Sequence, residues 1–286
     1  MSLSFLLALA FVQQSTPYPR AELLIEPKDL IANVAKYRVL DVRPQTQFEK
    51  GHLRWAVWVD HDAWAKTFAK HQDLKAWSKI IGDLGIDNQT EVAIYDDGST
   101  KDAARVWWVM RYFNHTKVRI VHAGWHGLMQ ADVAATTKVG VIQPQTFAIA
   151  SPAQARLADK ASVLDILNNR TGVQIIDTRS EKEYCGETKL AKRGGAIPGA
   201  IHLEWTDAID PKTKRFKSAG ELTKLFKDAG IDLKKKSVTH CQSGGRAAVM
   251  AFALEMMGSD GVSNYYRSWS EWGNDPSTPV VLPKKK

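Results

Sequence analysis

The sequence predicts an α/β protein built from two similar domains, and three observations support this. Its 286 residues exceed the roughly 100–200 that a single domain usually contains. Short apolar segments alternate with helical stretches, which is the pattern of a mainly parallel sheet with helices on both faces. Segments in the first half of the chain also recur, in the same order, in the second half.

Three kinds of segment carry the repeat: a strand ending in Asp-x-Arg, a strand followed by a Gly/Ser loop and an apolar helix, and an apolar segment leading into a tryptophan turn. The pairs are residues 39–43 with 175–179, 91–96 with 236–241, and 121–125 with 265–269. Their order is preserved and their separation is nearly constant. Self-similarity of this kind indicates a duplicated unit, so we expect two domains of like fold.

The expected organisation has four parts. These are an N-terminal arm or incomplete signal peptide at residues 1–21, a first domain at 22–140, a linker at 141–158 and a second domain at 159–286. The linker contains Pro144 and Pro152 and shows no helical periodicity, which is typical of a connecting segment. It has room for one strand of its own.

Helices are predicted from apolar periodicity together with start and stop residues. Gly85 and Gly230 mark the ends of two helices, and Ser151-Pro152 is a helix-start pattern. The predicted helices span residues 27–34, 74–84 and 105–113 in the first domain, and 155–168, 219–229 and 247–257 in the second.

The N-terminal apolar run, Leu3 to Val12, is far shorter than the roughly 20 residues needed to cross a bilayer. Its length suits the hydrophobic part of a secretory signal, but no Lys or Arg precedes it. Two interpretations therefore stay open: a signal that directs export to a periplasm or beyond, or an apolar arm of a cytoplasmic protein. We predict no membrane span.

The charge balance points to anionic partners. Thirty-nine Lys+Arg against 31 Asp+Glu give a formal net charge of +8, which suits nucleic acid, an anionic membrane or small anionic substrates. The basic residues are scattered and no zinc-finger or RNA-binding motif is present, which argues against nucleic acid. The two cysteines are too few for a disulfide scaffold and too far apart for a zinc motif.

The strongest chemical motif is the segment from Cys241 to Arg246, Cys-Gln-Ser-Gly-Gly-Arg, which follows an apolar strand. Ligands of parallel α/β sheets bind at this end of the strands. Gly244 and Gly245 allow successive N–H groups to point inward as an anion-binding nest, and the next helix adds its positive N-terminal end. These features and the charge of Arg246 favour a thiolate, so the sequence predicts that Cys241 is a nucleophile.

The alternative for Cys241 is a buried structural thiol, the usual fate of a free cysteine, although packing gives no reason for a Gly-Gly-Arg turn. Cys185 has neither a glycine loop nor an adjacent cation, so we interpret it as inert rather than as a redox partner of Cys241. His240 precedes Cys241 on the strand, and its side chain is expected to point to the opposite face.

Together these motifs resemble a two-domain rhodanese, as do residues 194–201 (GGAIPGAI) and 265–272 (YYRSWSEW). The resemblance covers nearly the whole chain after Pro27. It implies two rhodanese folds, of which the second carries the cysteine that takes a sulfane sulfur from a donor and passes it to a thiophilic acceptor. Asp96 stands where the first domain would need its cysteine, so the resemblance implies an inactive first domain.

The expected chemistry needs no cofactor. The nest attracts a thiosulfate dianion, and Cys241 attacks its outer sulfur. Sulfite departs, and a persulfide forms on the cysteine. The persulfide is then held by the loop N–H groups, which belong to Gln242, Ser243, Gly244, Gly245 and Arg246. Cyanide or a thiol then removes the sulfur. The related phosphatase and arsenate reductase loops have five residues between Cys and Arg; the four found here give a smaller ring that suits sulfur.

The donor stays open between thiosulfate, which we favour, and 3-mercaptopyruvate. The mercaptopyruvate branch grips its substrate with an arginine at the position that aligns with Glu183, a reversed charge in this chain. Arg193 or Lys192 could supply a second cationic contact, and Arg179 either contacts the donor or ties the strand end to a loop. A third possibility is a binding module that delivers sulfur to a protein partner. Trp269 and Trp272 are expected in the core.

Overall fold

The computed structural model describes residues 17–285, and within this range the chain forms two α/β domains. The strands of the first are β1 (Leu24–Ile25), β2 (Tyr37–Asp41), β3 (His52–Leu53), β4 (Val57–Trp58), β5 (Glu91–Tyr95), β6 (Val118–Val121) and β7 (Ala135–Thr136). Those of the second are β8 (Leu157–Ala158), β9 (Gln174–Asp177), β10 (Ile201–His202), β11 (Ser237–His240) and β12 (Val262–Tyr265).

Helices connect the strands in both domains. The first has α1 (Pro27–Ala32), α2 (Gln45–Lys50), α3 (His61–Thr67), α4 (Leu74–Gly82), α5 (Lys101–Tyr112) and α6 (Gly124–Gln130). The second has α7 (Lys160–Asn169), α8 (Glu181–Tyr184), α9 (Ala219–Ala229), α10 (Gly245–Met256) and α11 (Ser268–Trp272).

The two domains share one sheet topology. The first sheet has the order β1-β6-β5-β2-β4 and the second the order β8-β12-β11-β9-β10, and neighbouring strands in both run parallel. β3 and β7 form a separate antiparallel pair. The predicted α/β class and the duplication are therefore confirmed.

The central strands are buried because both of their faces are covered by helices. In β5 and β11 every residue except the first of β5 is buried, as expected for strands inside a parallel sheet. The domains pack on each other through α5 and α10, where the rings of Trp107 and Phe252 meet edge to face with centroids 4.8 Å apart. The helix that follows each strand-end loop thus lies in the core between the domains.

The helices agree with the predicted ones to different degrees. α9 has the predicted bounds and begins with a capping box between Ser218 and Glu221. The helix predicted at 155–168 instead begins at Lys160, capped by Asp159, because Leu157 and Ala158 form β8 and pair with β12. The last two residues of the predicted linker therefore belong to the second sheet.

Asp96 and Cys241 directly follow the carboxyl ends of β5 and β11 and begin the loops that lead into α5 and α10. Both strands occupy the centre of their sheets. The N-terminal apolar run lies outside the described residues. Within residues 17–285, no helix is both long and apolar enough to cross a membrane.

Candidate active site at Cys241

Cys241 lies at the first position after β11, and its surroundings hold the backbone of the loop in place. Its side chain is 1% exposed. Its N–H donates to Ser268 Oγ at 3.0 Å, and its carbonyl accepts from the N–H of Trp269 at 3.0 Å. The start of α11 thereby fixes the base of the loop, with the thiol at the ligand-binding edge of the sheet.

The loop after Cys241 presents unpaired backbone donors. The N–H groups of Gln242, Ser243, Gly244, Gly245 and Arg246 form no hydrogen bond with any residue in the range 17–285. The last two belong to the first turn of α10, whose N–H groups have no partner within the helix. Such a ring of free donors at a helix N-terminus is suited to an anion.

Gly244 is required by the shape of this loop. Its φ of 82° lies in the left-handed region, and a Cβ there would approach the ring and carbonyl of Tyr266 at 2.9 Å. A larger residue would be strained and would collide with Tyr266. The predicted role of this glycine in shaping the nest is therefore consistent with the geometry.

Arg246 reaches the thiol region but is paired with a carboxylate. Its guanidinium donates to both oxygens of Glu183, at 2.6 and 2.8 Å, and it also interacts with the side chain of Cys241. Although burial alone would raise it, the pKa of Glu183 is held below its usual value by the hydrogen bonds from Arg246. Glu183, which stands where the mercaptopyruvate branch has an arginine, is thus the counter-ion of Arg246.

The side chains of Gln242 and Ser243 form the rim of the loop. The side-chain Nε2 of Gln242 donates to the carbonyl of Leu190 at 3.0 Å, and the backbone carbonyl of Gln242 accepts from the N–H of Ser270. Ser243 lines a cleft of about 650 Å³ between the domains. Its carbonyl accepts a hydrogen bond from a residue of the first domain, Arg105, at 3.0 Å.

Arg179 is not placed as a donor-binding group. Its guanidinium pairs with Asp177, donates to the carbonyl of Gly195 and lies over the Trp269 ring, 4.2 Å from the centroid. Its side chain is 1% exposed. In the first domain Arg43 makes the same set of contacts, with Asp41, the carbonyl of Gly51 and Trp125.

Because the domain without the cysteine has the same cluster, we assign Arg179 to the architecture of the fold. Of the two interpretations given from sequence, the structure favours the one in which Arg179 ties the strand end to a loop.

Arg193 is also engaged elsewhere. Its guanidinium donates to the carbonyls of Trp272 and Thr278, each at 2.7 Å, and to that of Asp275. These bonds attach the C-terminal segment to the second domain, and they occupy most of the guanidinium donors of Arg193. Lys192 is exposed. Trp269 and Trp272 are fully buried, which agrees with the expected core position.

Two other titratable groups named in the sequence analysis, His240 and Cys185, are not activated. His240 is completely buried, and burial lowers its pKa to about 4, so the ring is neutral. Its closest carboxylate is that of Asp177, at 3.5 Å. Burial and the carboxylates of Glu181 and Glu187 raise the pKa of the Cys185 thiol, which supports the interpretation of Cys185 as inert.

Three residues of this site escaped sequence reasoning: Arg105, Tyr266 and Ser268. Arg105 also lies 3.3 Å from the hydroxyl of Tyr266, and Tyr266 packs on Phe68 of the first domain. The repeated tryptophan turn could have pointed to Ser268 and Tyr266, since it follows the strand next to β11. No pattern in the sequence points to Arg105, whose contact exists only because the domains pack together.

Comparison with known proteins decides the family. The model of the rhodanese-like domain matches residues 26–131 and again residues 159–275. This chain belongs to the rhodanese family. It is a two-domain member, and its domains coincide with the two sheets described above.

Characterised rhodanese relatives cover most of this chain. The thiosulfate sulfurtransferase of Pseudomonas aeruginosa is 30% identical over an alignment of 273 residues, with 91% of this chain and 97% of that protein covered. The thiosulfate sulfurtransferase of Corynebacterium glutamicum is 31% identical, with 82% and 80% covered. The sulfur carrier protein TtuD of Thermus thermophilus is 31% identical, with 86% and 91% covered.

Solved structures agree in fold at lower identity. The 3-mercaptopyruvate sulfurtransferase SseA of Escherichia coli superposes with a TM-score of 0.73 at 23% identity, covering 87% of this chain and 99% of SseA. EanB superposes with a TM-score of 0.83 at 20% identity, covering 93% of this chain and 70% of EanB. Together with the family match, the relatives place this rhodanese among the sulfurtransferases.

Proposed function

We propose that this rhodanese moves a sulfane sulfur from thiosulfate to a thiophilic acceptor, cyanide or a thiol, through a persulfide on Cys241. The observation that carries the proposal is the set of five unpaired N–H groups around the cysteine, at the N-terminus of α10. A donor that is a dianion and an intermediate that ends in an anionic sulfur both need such donors. The relatives named thiosulfate sulfurtransferase support the choice of donor.

The reaction divides into two displacements at sulfur. The Cys241 thiolate attacks the outer sulfur of thiosulfate, so that an S–S bond to the enzyme forms while the bond to the sulfonate breaks and its electron pair leaves with sulfite. Cyanide or a thiolate then attacks the terminal sulfur, which regenerates the cysteine thiolate. Neither step consumes an oxidant or a reductant.

Thiosulfate is favoured over 3-mercaptopyruvate because of Glu183. The mercaptopyruvate branch grips the carboxylate of its keto-acid donor with an arginine at the position of Glu183, whereas here Glu183 accepts two hydrogen bonds from Arg246. Placing a second carboxylate beside this pair would add like-charge repulsion. The similarity to SseA concerns the fold alone.

A second candidate is transfer of sulfur to a protein. It is favoured by the cleft of about 650 Å³ beside the loop, which is far larger than cyanide needs, and by the similarity to a sulfur carrier protein. In this case the persulfide would form in the same way, and only the acceptor would differ.

The test is thiocyanate formation from cyanide, with thiosulfate or 3-mercaptopyruvate as donor. Cys241→Ser should abolish turnover, whereas Cys185→Ser, the matched control, should keep it. An aryl phosphate should not be hydrolysed. Thiosulfate turnover that survives in Cys241→Ser would refute the mechanism, and a preference for 3-mercaptopyruvate would refute the donor.

A further inference from the structure

Arg105 is a residue of the first domain that sits on the loop of the second. It projects from α5, its Nη1 donates to the carbonyl of Ser243 at 3.0 Å and lies 3.3 Å from the hydroxyl of Tyr266, and its guanidinium lies directly against Gly245, where any Cβ would collide with it. The absence of a side chain at position 245 therefore makes room for this arginine.

Arg105 has no ion-pair partner among the described residues, although the more distant carboxylate of Asp102 also acts on it. Two cations act on the side chain of Cys241, Arg246 and Arg105. Arg246 is paired with Glu183 at 2.6 Å, whereas no carboxylate among residues 17–285 lies within 4.0 Å of the Arg105 guanidinium. Of the two cations, the one without a close carboxylate therefore comes from the first domain.

Arg105 also keeps an unused hydrogen-bond donor. Its Nε is buried and makes no hydrogen bond with any described residue, and a buried donor without a partner is costly unless a ligand takes it. Arg105 lines the cleft between the domains together with Ser243 and Tyr266. The remaining cations of the cleft are less suited, since Arg267 is paired with Glu271 at 3.1 Å and Lys66 is exposed.

We propose that Arg105 binds the anionic part of the sulfur donor, so that the first domain, which lacks the cysteine, supplies the donor-binding cation of the second. The inference rests on the proposed function, and it names the group that recognises the donor. The free N–H groups of the loop hold the transferred sulfur, and the guanidinium holds the sulfonate and then the departing sulfite. A planar guanidinium is well suited to this, because it offers two parallel hydrogen bonds to an oxyanion.

The experiment compares Arg105→Gln, Arg105→Lys and a control, Lys79→Gln, which removes an exposed charge elsewhere in the first domain. Loss of a charge-assisted contact should raise the KM for thiosulfate in Arg105→Gln by about 10-fold or more, with partial recovery in Arg105→Lys. Discharge of the preloaded persulfide to cyanide should change by less than about twofold, because that step no longer contains the sulfonate.

A second measurement does not depend on turnover. Thiosulfate binding is titrated by tryptophan fluorescence in Cys241→Ser and in the same variant carrying Arg105→Gln, and the affinity should fall by about 10-fold in the double variant. If the wild type binds thiosulfate through Arg105 but forms no persulfide, the proposed function fails while this inference holds.

Other outcomes would overturn the role of Arg105. Unchanged KM and unchanged binding in Arg105→Gln would do so directly. An equal loss in donor use and in persulfide discharge would also do so, since a merely structural role affects both steps alike. Melting temperatures of all variants identify any that fail to fold, and the Arg105→Lys variant then decides.

Discussion

The loops after β5 and β11 are built on the same frame but hold different groups. In the first, the carbonyl of Asp96 accepts from the N–H of Trp125 at 2.7 Å; in the second, the carbonyl of Cys241 accepts from that of Trp269 at 3.0 Å. A helix follows each loop after a residue with positive φ, Thr100 at 66° and Gly244 at 82°. The backbone scaffolds are thus alike.

The difference is that the first loop fills its own nest. The two carboxylate oxygens of Asp96 accept from the N–H groups of Gly98, Thr100, Asp102 and Ala103 and from the hydroxyl of Ser99, at 2.9 to 3.3 Å. In the second loop the corresponding donors are free. The same turn therefore binds an internal carboxylate in one domain and leaves its N–H donors open beside a thiol in the other.

The loops after β5 and β11 also differ in length. α5 begins at Lys101 and α10 at Gly245, so the first loop is one residue longer between the strand-end residue and the helix. Gly124 and Ser268 occupy equivalent positions, with φ of 53° and 51°. A Cβ at Gly124 would meet the carbonyl of Asp96 at 2.6 Å, whereas the second domain accommodates a serine at this position, whose hydroxyl accepts from the N–H of Cys241.

The largest effect should come from converting the second loop into the first. In Cys241→Asp the carboxylate should take the free N–H groups and repel the donor, and it has no sulfur to transfer. We expect thiocyanate formation to fall below detection and the mass increase of one sulfur atom to be absent after incubation with thiosulfate. Measurable turnover in this variant would show that another group carries the sulfur.

The first nest can be opened by Asp96→Ala. Losing the acceptor of five hydrogen bonds should lower the free energy of unfolding by about 2 kcal/mol. Because burial raises the pKa of Asp96 to about 6, the comparison belongs near pH 8, where the carboxylate is ionised. Formate should restore part of the melting temperature by entering the nest, and chloride at equal ionic strength should not. Equal responses to both salts would argue against a carboxylate-shaped nest.

The residues that precede the two loops differ in their response to pH. The hydroxyl of Tyr95 accepts from the N–H of Leu53 at 3.2 Å, while His240 is buried and neutral. Burial lowers the pKa of His240 from 6.5 to about 4, so as the pH falls the unfolded chain takes up a proton before the folded chain does. Stability is therefore lost on acidification through this window.

In His240→Phe the loss of unfolding free energy between about pH 7 and pH 5 should be smaller by about 2 kcal/mol, as measured by urea denaturation. His115→Phe is the equivalent substitution in the first domain, because burial also lowers the pKa of His115 to about 4. A pH dependence unaltered by either substitution would mean that the buried rings do not govern acid stability.

The smallest effect is expected at Ser268. Ser268→Ala removes the acceptor of the Cys241 N–H but keeps a Cβ at the same positive φ, so it isolates the hydroxyl. Stability should fall by about 1 kcal/mol, and sulfur transfer should decline by several-fold because the base of the loop loosens. Ser268→Gly, which imitates Gly124, relieves the backbone strain and should be less destabilised than Ser268→Ala. The reverse order would indicate that the strain at this position is not significant.

The fold was predictable from sequence to a large extent. Alternating apolar segments, the repeat and the glycine at the end of α9 act within a few residues, and they led to the correct class and duplication. The start of α7 was misplaced because Ser151-Pro152 is a start pattern, while pairing of Leu157 and Ala158 with β12 depends on a strand far along the chain. At these two residues, pairing in the second sheet outweighed the local preference for a helix.

The cysteine loop was also accessible from sequence, because its residues are contiguous: a thiol at a strand end, two glycines and a helix start define a nest without reference to the rest of the chain. The side chains around it were not. Arg179, by its place at a strand end, and Arg193, by its charge, were candidates for substrate contacts. The structure instead pairs Arg179 with Asp177 and directs Arg193 to carbonyls of the C-terminal segment.

The sequence by itself thus determined the α/β class, the duplication and the residues of the cysteine loop, since each depends on neighbouring residues. Only the tertiary structure decided the charge balance of the site. Arg246 is offset by Glu183, and Arg105 arrives from the other domain. Electrostatic interactions depend on distance in space, and those distances exist only once the two domains have packed.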